Sequence, residues 1–143
     1  MLSDRKKMNI LLIDDNEMDI EITKEALACG EVSNNLIVFR DGNEALQHLK
    51  DNDELPDICL LDLNMPKHSG WSILSKIKSD DKLSQMPIIV LTVSEHERDI
   101  QSAYNLNANY FISKPSDFND FVRIVKFIQK FWFNTLNLST QKN

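Results

Sequence analysis

Four short apolar runs, well separated along the chain, constrain the fold more than any other feature. They are residues 9–13, 58–61, 88–91 and 110–113, and each is followed by a helical pattern. Near-continuous apolar runs of this kind are typical of buried strands in a parallel sheet. Residues 34–39 form a fifth run. The alternation predicts an α/β domain with a doubly wound, five-stranded parallel sheet.

Helix start and stop signals lie between the predicted strands. Asn16 is the expected N-cap of a helix that Gly30 stops near Cys29, and Asp41 is expected to cap a helix through Leu49. Further helices are predicted over 70–79, from 94 or 95 to 106, and from 117 to 133. We predict the strand order 2-1-3-4-5, because it places the first and third strands side by side at a switch point.

Length and charge limit the kinds of function. At 143 residues, with 42% hydrophobic and 27% charged residues, the chain is predicted to form one globular domain over 1–143. We place its core at about 8–133 and a short C-terminal tail at 134–143. The net charge of -6 disfavours nonspecific contact with nucleic acid or an anionic membrane. No apolar run approaches the roughly 20 residues that span a bilayer, so we expect a cytoplasmic protein.

Charged and hydroxyl side chains stand at the downstream ends of four predicted strands. Asp14 and Asp15 follow the first strand, Asp62 the third, Thr92 the fourth and Lys114 the fifth. In parallel sheets the ligand crevice lies outside the carboxyl ends of the strands, so these residues are predicted to meet at one edge. Three carboxylates there repel one another, and a divalent cation would remove the repulsion. Mg²⁺ suits such oxygen ligands together with a substrate phosphate.

This arrangement predicts phosphoryl transfer. Asp62, centred between neighbouring strands, is positioned to attack phosphorus and form an aspartyl phosphate. The metal and Lys114 would neutralise oxygens of the transferring group, and Thr92 would hydrogen-bond one oxygen of the product. Each residue alone has an ordinary explanation, such as a helix-capping acid, β-branched packing or a turn residue before Pro115. Their joint placement at four strand ends favours the combined site.

Motifs at these strand ends resemble a known family. The segments 10–16, 56–66, 91–92 and 113–115 are similar to the receiver domain of two-component response regulators, and the likeness covers nearly the whole chain. It implies the flavodoxin-like receiver fold. It also implies that Asp62 accepts phosphate from a sensor histidine kinase, and that Asp14, Asp15 and the Asn64 main-chain carbonyl help Asp62 to hold Mg²⁺.

The same resemblance assigns roles around the phosphate. Thr92 and Lys114 are implied to contact it, and the peptide bond between Lys114 and Pro115 is implied to be cis, which X-Pro bonds make accessible. Family members often carry a Tyr three residues before the lysine, where this chain has Phe111. We expect a switch that couples Thr92 to the Phe111 rotamer through packing, without a tyrosine hydroxyl.

Three further segments narrow the subgroup. Residues 62–67, 108–109 and 131–132 look like those of the small stand-alone regulators that partner bacteriophytochromes. The resemblance therefore implies a kinase partner that is a phytochrome.

The last predicted helix carries two apolar rows. The row with core spacing comprises Phe118, Phe121, Val122, Val125, Ile128 and Trp132. The second row, Ile124, Phe127 and Phe131, is offset around the helix. It either packs against the tail at Leu136 and Leu138 or forms a docking surface, and we favour docking. Given the resemblance, we expect a homodimer through the fourth helix, fifth strand and fifth helix.

Two other functions fit parts of the pattern. A metal-dependent phosphatase with an aspartyl nucleophile usually needs an acid two residues after it, where Asn64 stands. A constitutive interaction module with a vestigial crevice is disfavoured by the full set of site residues. We therefore expect a phosphorylation-dependent signalling switch, which is not an enzyme beyond its own phosphotransfer and autodephosphorylation.

Overall fold

The computed structural model describes residues 7–30, 33–63, 65, 70–92, 110–113 and 117–141. The elements in chain order are β1 (Met8–Ile13), α1 (Glu17–Ala28), β2 (Asn34–Phe39), α2 (Gly42–Asp51), β3 (Ile58–Asp62), α3 (Gly70–Ser79), a short 3-10 helix (Leu83–Gln85), β4 (Ile88–Thr92), β5 (Tyr110–Ser113) and α4 (Phe118–Gln141). The helix predicted from 94 or 95 to 106 lies outside the described residues.

The five strands form one parallel sheet in the order β2-β1-β3-β4-β5. This confirms the predicted fold class and strand order. Leu12 of β1 pairs with Val38 of β2 on one side and with Leu60 of β3 on the other. The chain thus reverses its direction of winding between β1 and β3, and their carboxyl ends border the crevice expected at such a switch point.

Helices cover both faces of the sheet because its central strands are apolar on both sides. All five residues of β3 are buried. Leu11 and Leu61 belong to a core cluster on the side of α2 and α3. Leu12 and Leu60 belong to a second cluster on the side of α1 and α4. Burial on both faces is the physical reason why the strands read as continuous apolar runs.

Two helices begin at the predicted caps. The Asn16 side chain accepts a hydrogen bond from the Asp19 N–H at 3.0 Å at the start of α1. The Asp41 side chain accepts from the N–H groups of Asn43 and Glu44, at 2.8 and 3.1 Å, at the start of α2. Each cap satisfies backbone donors that have no partner within the first turn of a helix.

The predicted end of the last helix was wrong. We placed its end near Phe133, whereas α4 continues to Gln141. Neither Gly nor Pro occurs between Ser116 and Asn143, so the sequence contains none of the residues that most readily end a helix. Among the helices in the described ranges, none combines the length and apolar character needed to cross a membrane.

Candidate functional site

Two buried carboxylates meet at the carboxyl ends of β1 and β3. Asp14 directly follows β1 and is 0% exposed, and Asp62 ends β3 and is 3% exposed. Ile13 and Leu61, the residues just before them, are paired in the sheet. The structure therefore brings these two predicted site residues together, although they are far apart in the sequence.

A third carboxylate, which the sequence analysis missed, completes the cluster. Asp19 is half-buried in the first turn of α1. Carboxylate oxygens of Asp14, Asp19 and Asp62 all lie within 4.8 Å of one another; we call these three residues the acidic triad. The signal was present in the sequence, since an N-cap at Asn16 makes Asp19 the third helical residue. Side chains there tilt back toward the helix N-terminus and hence toward the end of β1.

Side-chain to backbone hydrogen bonds hold two members of the acidic triad. Asp14 Oδ1 accepts the Asn16 N–H at 3.0 Å, and Asn16 Oδ1 accepts the Asp19 N–H at 3.0 Å. The Thr23 hydroxyl, buried in α1, donates to the Asp19 carbonyl at 2.8 Å. The segment between β1 and α1 is therefore tied to the helix that it begins.

Asp15 has a different environment from its neighbour. It is half-buried, whereas Asp14 is fully buried, and it does not belong to the acidic triad. Successive side chains at the end of a strand point to opposite sides, which accounts for the difference. The assignment of Asp15 as a metal ligand stays a prediction.

The start of α3 lies against the backbone that carries Asp62. A Cβ added to Gly70 would lie 2.6 Å from the Asp62 carbonyl oxygen and 2.5 Å from the Leu63 Cα. Both distances are shorter than any ordinary contact, so a residue without a side chain is required at this helix start. α3 is therefore in direct contact with the segment that positions Asp62.

An ion pair lies beside the acidic triad. Arg40, just after β2, donates from Nη2 to Glu17 Oε2 at 3.1 Å and from Nε to the other oxygen. The hydrogen bond from Arg40 lowers the pKa of the exposed Glu17 carboxyl, and Glu17 raises the pKa of Arg40 in return. Glu17 begins α1, two residues before Asp19, so the pair compensates one negative charge near the cluster.

The remaining predicted site residues are only partly described. Thr92 ends β4 and pairs with Ser113 of β5, and the residue before it, Leu91, pairs with Asp62. The Thr92 backbone thus lies at the same sheet edge as Asp62, while its side chain lies outside the described part of the chain. The Phe111 side chain does so as well, although its backbone belongs to β5. Asn64, Lys114 and Pro115 lie outside the described residues, and so does the predicted cis peptide.

The acidic triad fits a hard divalent cation. At an effective dielectric constant of ~20, two unit charges about 5 Å apart repel by about 3 kcal/mol. Three such pairs in a buried crevice favour a counter-ion, and all three side chains offer carboxylate oxygens. Oxygen donors of this kind match Mg²⁺ or Mn²⁺ rather than the softer metals that prefer nitrogen and sulfur.

Comparisons with known proteins agree with this chemistry. Residues 10–126 match the family model of the response regulator receiver domain. The chain is 34% identical over 134 residues to the response regulator Rcp1 of Synechocystis sp., which covers 90% of this chain and 91% of that protein.

Solved structures are similar over almost the same length. The phosphorylated cyanobacterial phytochrome response regulator RcpA has a TM-score of 0.83 and 39% identity, covering 91% of this chain and 96% of that chain. The Mn²⁺-bound form of Rcp1 has a TM-score of 0.80 and 34% identity, covering 90% of this chain and 96% of that chain.

Proposed function

Because this chain belongs to the response regulator receiver family, we propose that Asp62 accepts a phosphoryl group from a sensor histidine kinase. Family membership confirms the resemblance found in the sequence and makes this a protein of phosphorelay signalling, not a conventional enzyme. The observation that best supports Asp62 as the acceptor is its burial, at 3% exposure, among the oxygens of the acidic triad. The family uses Mg²⁺ at this acidic pocket, and the residues present fit that ion.

The transfer step uses Asp62 as the nucleophile. A carboxylate oxygen of Asp62 attacks the phosphorus of a phosphohistidine, a P–O bond forms, and the P–N bond breaks with its electron pair leaving on the imidazole nitrogen. The product is an aspartyl phosphate. Mg²⁺, when bound, supplies positive charge that neutralises the carboxylates and the oxygens of the transferring group. Its proposed ligands are Asp14, Asp15, Asp62 and the main-chain carbonyl of Asn64.

Residues beyond the carboxylates complete the proposed site. Lys114, after β5, contributes a second positive charge toward the phosphoryl oxygens. The Thr92 hydroxyl donates a hydrogen bond to the phosphoryl group. The movement of Thr92 toward the phosphate leaves space into which Phe111 repacks, which changes the surface near β5. Attack by water on the same phosphorus breaks the P–O bond to Asp62, releases inorganic phosphate and returns Asp62 to its free carboxylate.

Mass spectrometry of the intact protein tests this function. Wild-type protein with Mg²⁺ and acetyl phosphate is expected to gain one phosphoryl group, and Asp62→Asn or excess EDTA is expected to prevent the gain. Asp57→Asn is the matched control. Asp57 lies just before the same strand, at its opposite end, and accepts the Asn9 N–H at 2.8 Å. A wild-type protein that gains no mass, or an Asp57→Asn protein that loses the modification, would overturn the assignment.

The relatives suggest the class of phosphodonor. RcpA, 39% identical to this chain, is a phytochrome response regulator. We therefore propose that the cognate kinase is a phytochrome, so that light is the signal. Transfer from a phosphorylated phytochrome kinase should be much faster than transfer from a histidine kinase of another sensor class. Equal rates from both kinases would count against this partner.

An apolar row on α4 supports the proposal of a homodimer. Phe127 is 68% exposed, whereas Phe121 and Val125, on the opposite side of the helix, are each 4% exposed. Ile124 of the same row is half-buried, and the Phe131 side chain lies outside the described residues. The proposed interface comprises α4, β5 and the helix predicted from 94 or 95 to 106, which lies outside the described residues.

Light scattering on matched surface variants tests the dimer. Phe127→Ser should reduce the dimer fraction of the phosphorylated protein. Met18→Ser removes an apolar side chain of similar exposure, 73%, from α1 and should leave the dimer fraction unchanged. A wild-type protein that is monomeric in both phosphorylation states would refute the homodimer.

A further inference from the structure

We propose that Asp19 is a third carboxylate of the divalent-metal site and faces the ion together with Asp14 and Asp62. The inference rests on the proposed function, since it concerns the same pocket. It adds a residue that lies neither at a strand end nor among the ligands assigned above. The motif resemblance did not include Asp19, and its place in the site comes from the fold.

Geometry supports a direct role for the Asp19 carboxylate. One of its oxygens lies within 4.8 Å of oxygens of Asp14 and Asp62, so one ion between them would be within reach of all three side chains. Its backbone is fixed at both ends of the residue. The N–H donates to the Asn16 side chain at 3.0 Å, and the carbonyl accepts the Thr23 hydroxyl at 2.8 Å. A fixed backbone reduces the conformational freedom that the carboxylate loses when an ion binds.

A related structure supplies independent evidence that a receiver of this kind binds a divalent cation. Rcp1, 34% identical to this chain with a TM-score of 0.80, binds Mn²⁺ in a solved structure. Mn²⁺ and Mg²⁺ share a preference for carboxylate and water oxygens. The acidic triad is therefore a cluster in which a hard cation is expected, not an arbitrary group of surface acids.

A different role for Asp19 would be to stabilise the N-terminus of α1 by its charge alone. Acidic residues in the first turn interact favourably with the helix dipole, whether or not a metal is near. The chain offers a close match for this alternative in Asp120. It is the third residue of α4, as Asp19 is of α1, and its N–H donates to the capping Asp117 side chain at 3.3 Å. Asp120 is not part of the acidic triad.

Two effects of Asp19→Asn distinguish a metal-facing carboxylate from a helix-stabilising one. Without metal, loss of one of three like charges should raise the melting temperature. With saturating Mg²⁺, the melting temperature of Asp19→Asn should equal or fall below that of the wild type, because the variant binds the ion less tightly and is stabilised less by it. Asp120→Asn should instead lower the melting temperature slightly, by the same amount in EDTA and in Mg²⁺.

Isothermal titration of the unphosphorylated full chain with MgCl₂ is the decisive measurement. Asp19→Asn and Asp19→Ala are expected to weaken Mg²⁺ binding by at least about 10–100-fold, which is the loss that removal of even a supporting group beside a metal ligand produces. Asp19→Ala is included because the amide oxygen of Asn still offers a weak ligand. Asp120→Asn is expected to bind as the wild type does, and Asp62→Asn more weakly.

The outcomes separate this inference from the proposed function. If the wild type binds Mg²⁺, Asp62→Asn weakens it, and both Asp19 variants bind as the wild type does, the role of Asp19 is refuted while the proposed function stands. If Asp120→Asn weakens binding as much as Asp19→Asn, a general charge effect is responsible and the inference fails. If the wild type does not bind Mg²⁺, both fail. Weakening confined to the Asp19 and Asp62 variants supports it.

Discussion

Replacement of Gly70 by alanine is expected to destabilise the protein and to slow phosphorylation of Asp62. Gly70 is buried and begins α3. A Cβ there would lie 2.5 Å from the Leu63 Cα and 2.6 Å from the Asp62 carbonyl oxygen. Both of these are backbone atoms, so rotation of a side chain does not relieve the overlap.

The size of the effect follows from that overlap. Ordinary contacts of a Cβ are 3.4–4 Å long, so α3 or the backbone after β3 has to move by about 1 Å. Overpacking of this kind costs about 1–3 kcal/mol, and the smaller freedom of alanine in the unfolded chain returns up to about 1 kcal/mol. We expect the free energy of unfolding to fall by about 1–2 kcal/mol in total. A displacement of about 1 Å near the nucleophile can also slow its reaction by about 100-fold.

Gly42→Ala is the matched control for this substitution. Gly42 is also buried and also begins a helix, α2. Its added Cβ would meet Cδ1 and Cγ1 of Ile73, each at 2.5 Å, which are side-chain atoms that can move. Gly42→Ala should therefore cost less stability, and it should not change the phosphorylation rate.

Two measurements on both variants check this reasoning. Urea denaturation followed by circular dichroism gives the free energy of unfolding, and intact mass after timed exposure to acetyl phosphate and Mg²⁺ gives the phosphorylation rate. A Gly70→Ala protein as stable as the wild type would refute the steric argument. A Gly70→Ala protein that is less stable but phosphorylated at the wild-type rate would refute the link between α3 and Asp62.

Two further predictions follow from burial and capping. Burial raises the pKa of the Cys59 thiol from 9.0 to about 12. The buried neutral thiol therefore stabilises the fold fully below pH 9. Between pH 9 and 12 the free energy of unfolding falls by about 1.4 kcal/mol per pH unit, because the unfolded chain loses the thiol proton and the folded protein keeps it. Urea denaturation at alkaline pH should show this loss of stability in the wild type but not in Cys59→Ala. If both proteins lose stability equally as the pH rises, the prediction is wrong. Asn16→Ala removes the cap of α1 and should lower the free energy of unfolding by about 1 kcal/mol. It should also weaken Mg²⁺ binding in calorimetry, because it releases the Asp19 N–H, and unchanged affinity would argue against that link.

Local signals in the sequence were sufficient for most elements of the fold. The apolar runs predicted the strands because both faces of the sheet are covered, and caps at Asn16 and Asp41 located two helix starts because a side-chain acceptor is needed there. The end of α4 was mispredicted. A helix without Gly or Pro ends where its packing and end contacts run out, and neither is visible in a local pattern.

The candidate site shows where local signals stop. Strand-end positions identified Asp14 and Asp62, since parallel strands bring their carboxyl ends to one edge. They did not reveal Asp19, because it lies in the first turn of α1 and not at the end of a strand. Strand-end positions also do not distinguish Asp14 from Asp15, although Asp14 is fully buried and Asp15 is only half-buried.

By itself, the sequence determined the strands, the helix caps and the supply of acidic residues near the sheet edge. These depend on interactions between residues close in the chain, and on the apolar character that burial requires. Only the tertiary structure decided which carboxylates share a crevice. That depends on β1 and β3 being neighbours and on the direction in which α1 leaves the sheet, and both are set by packing between distant parts of the chain.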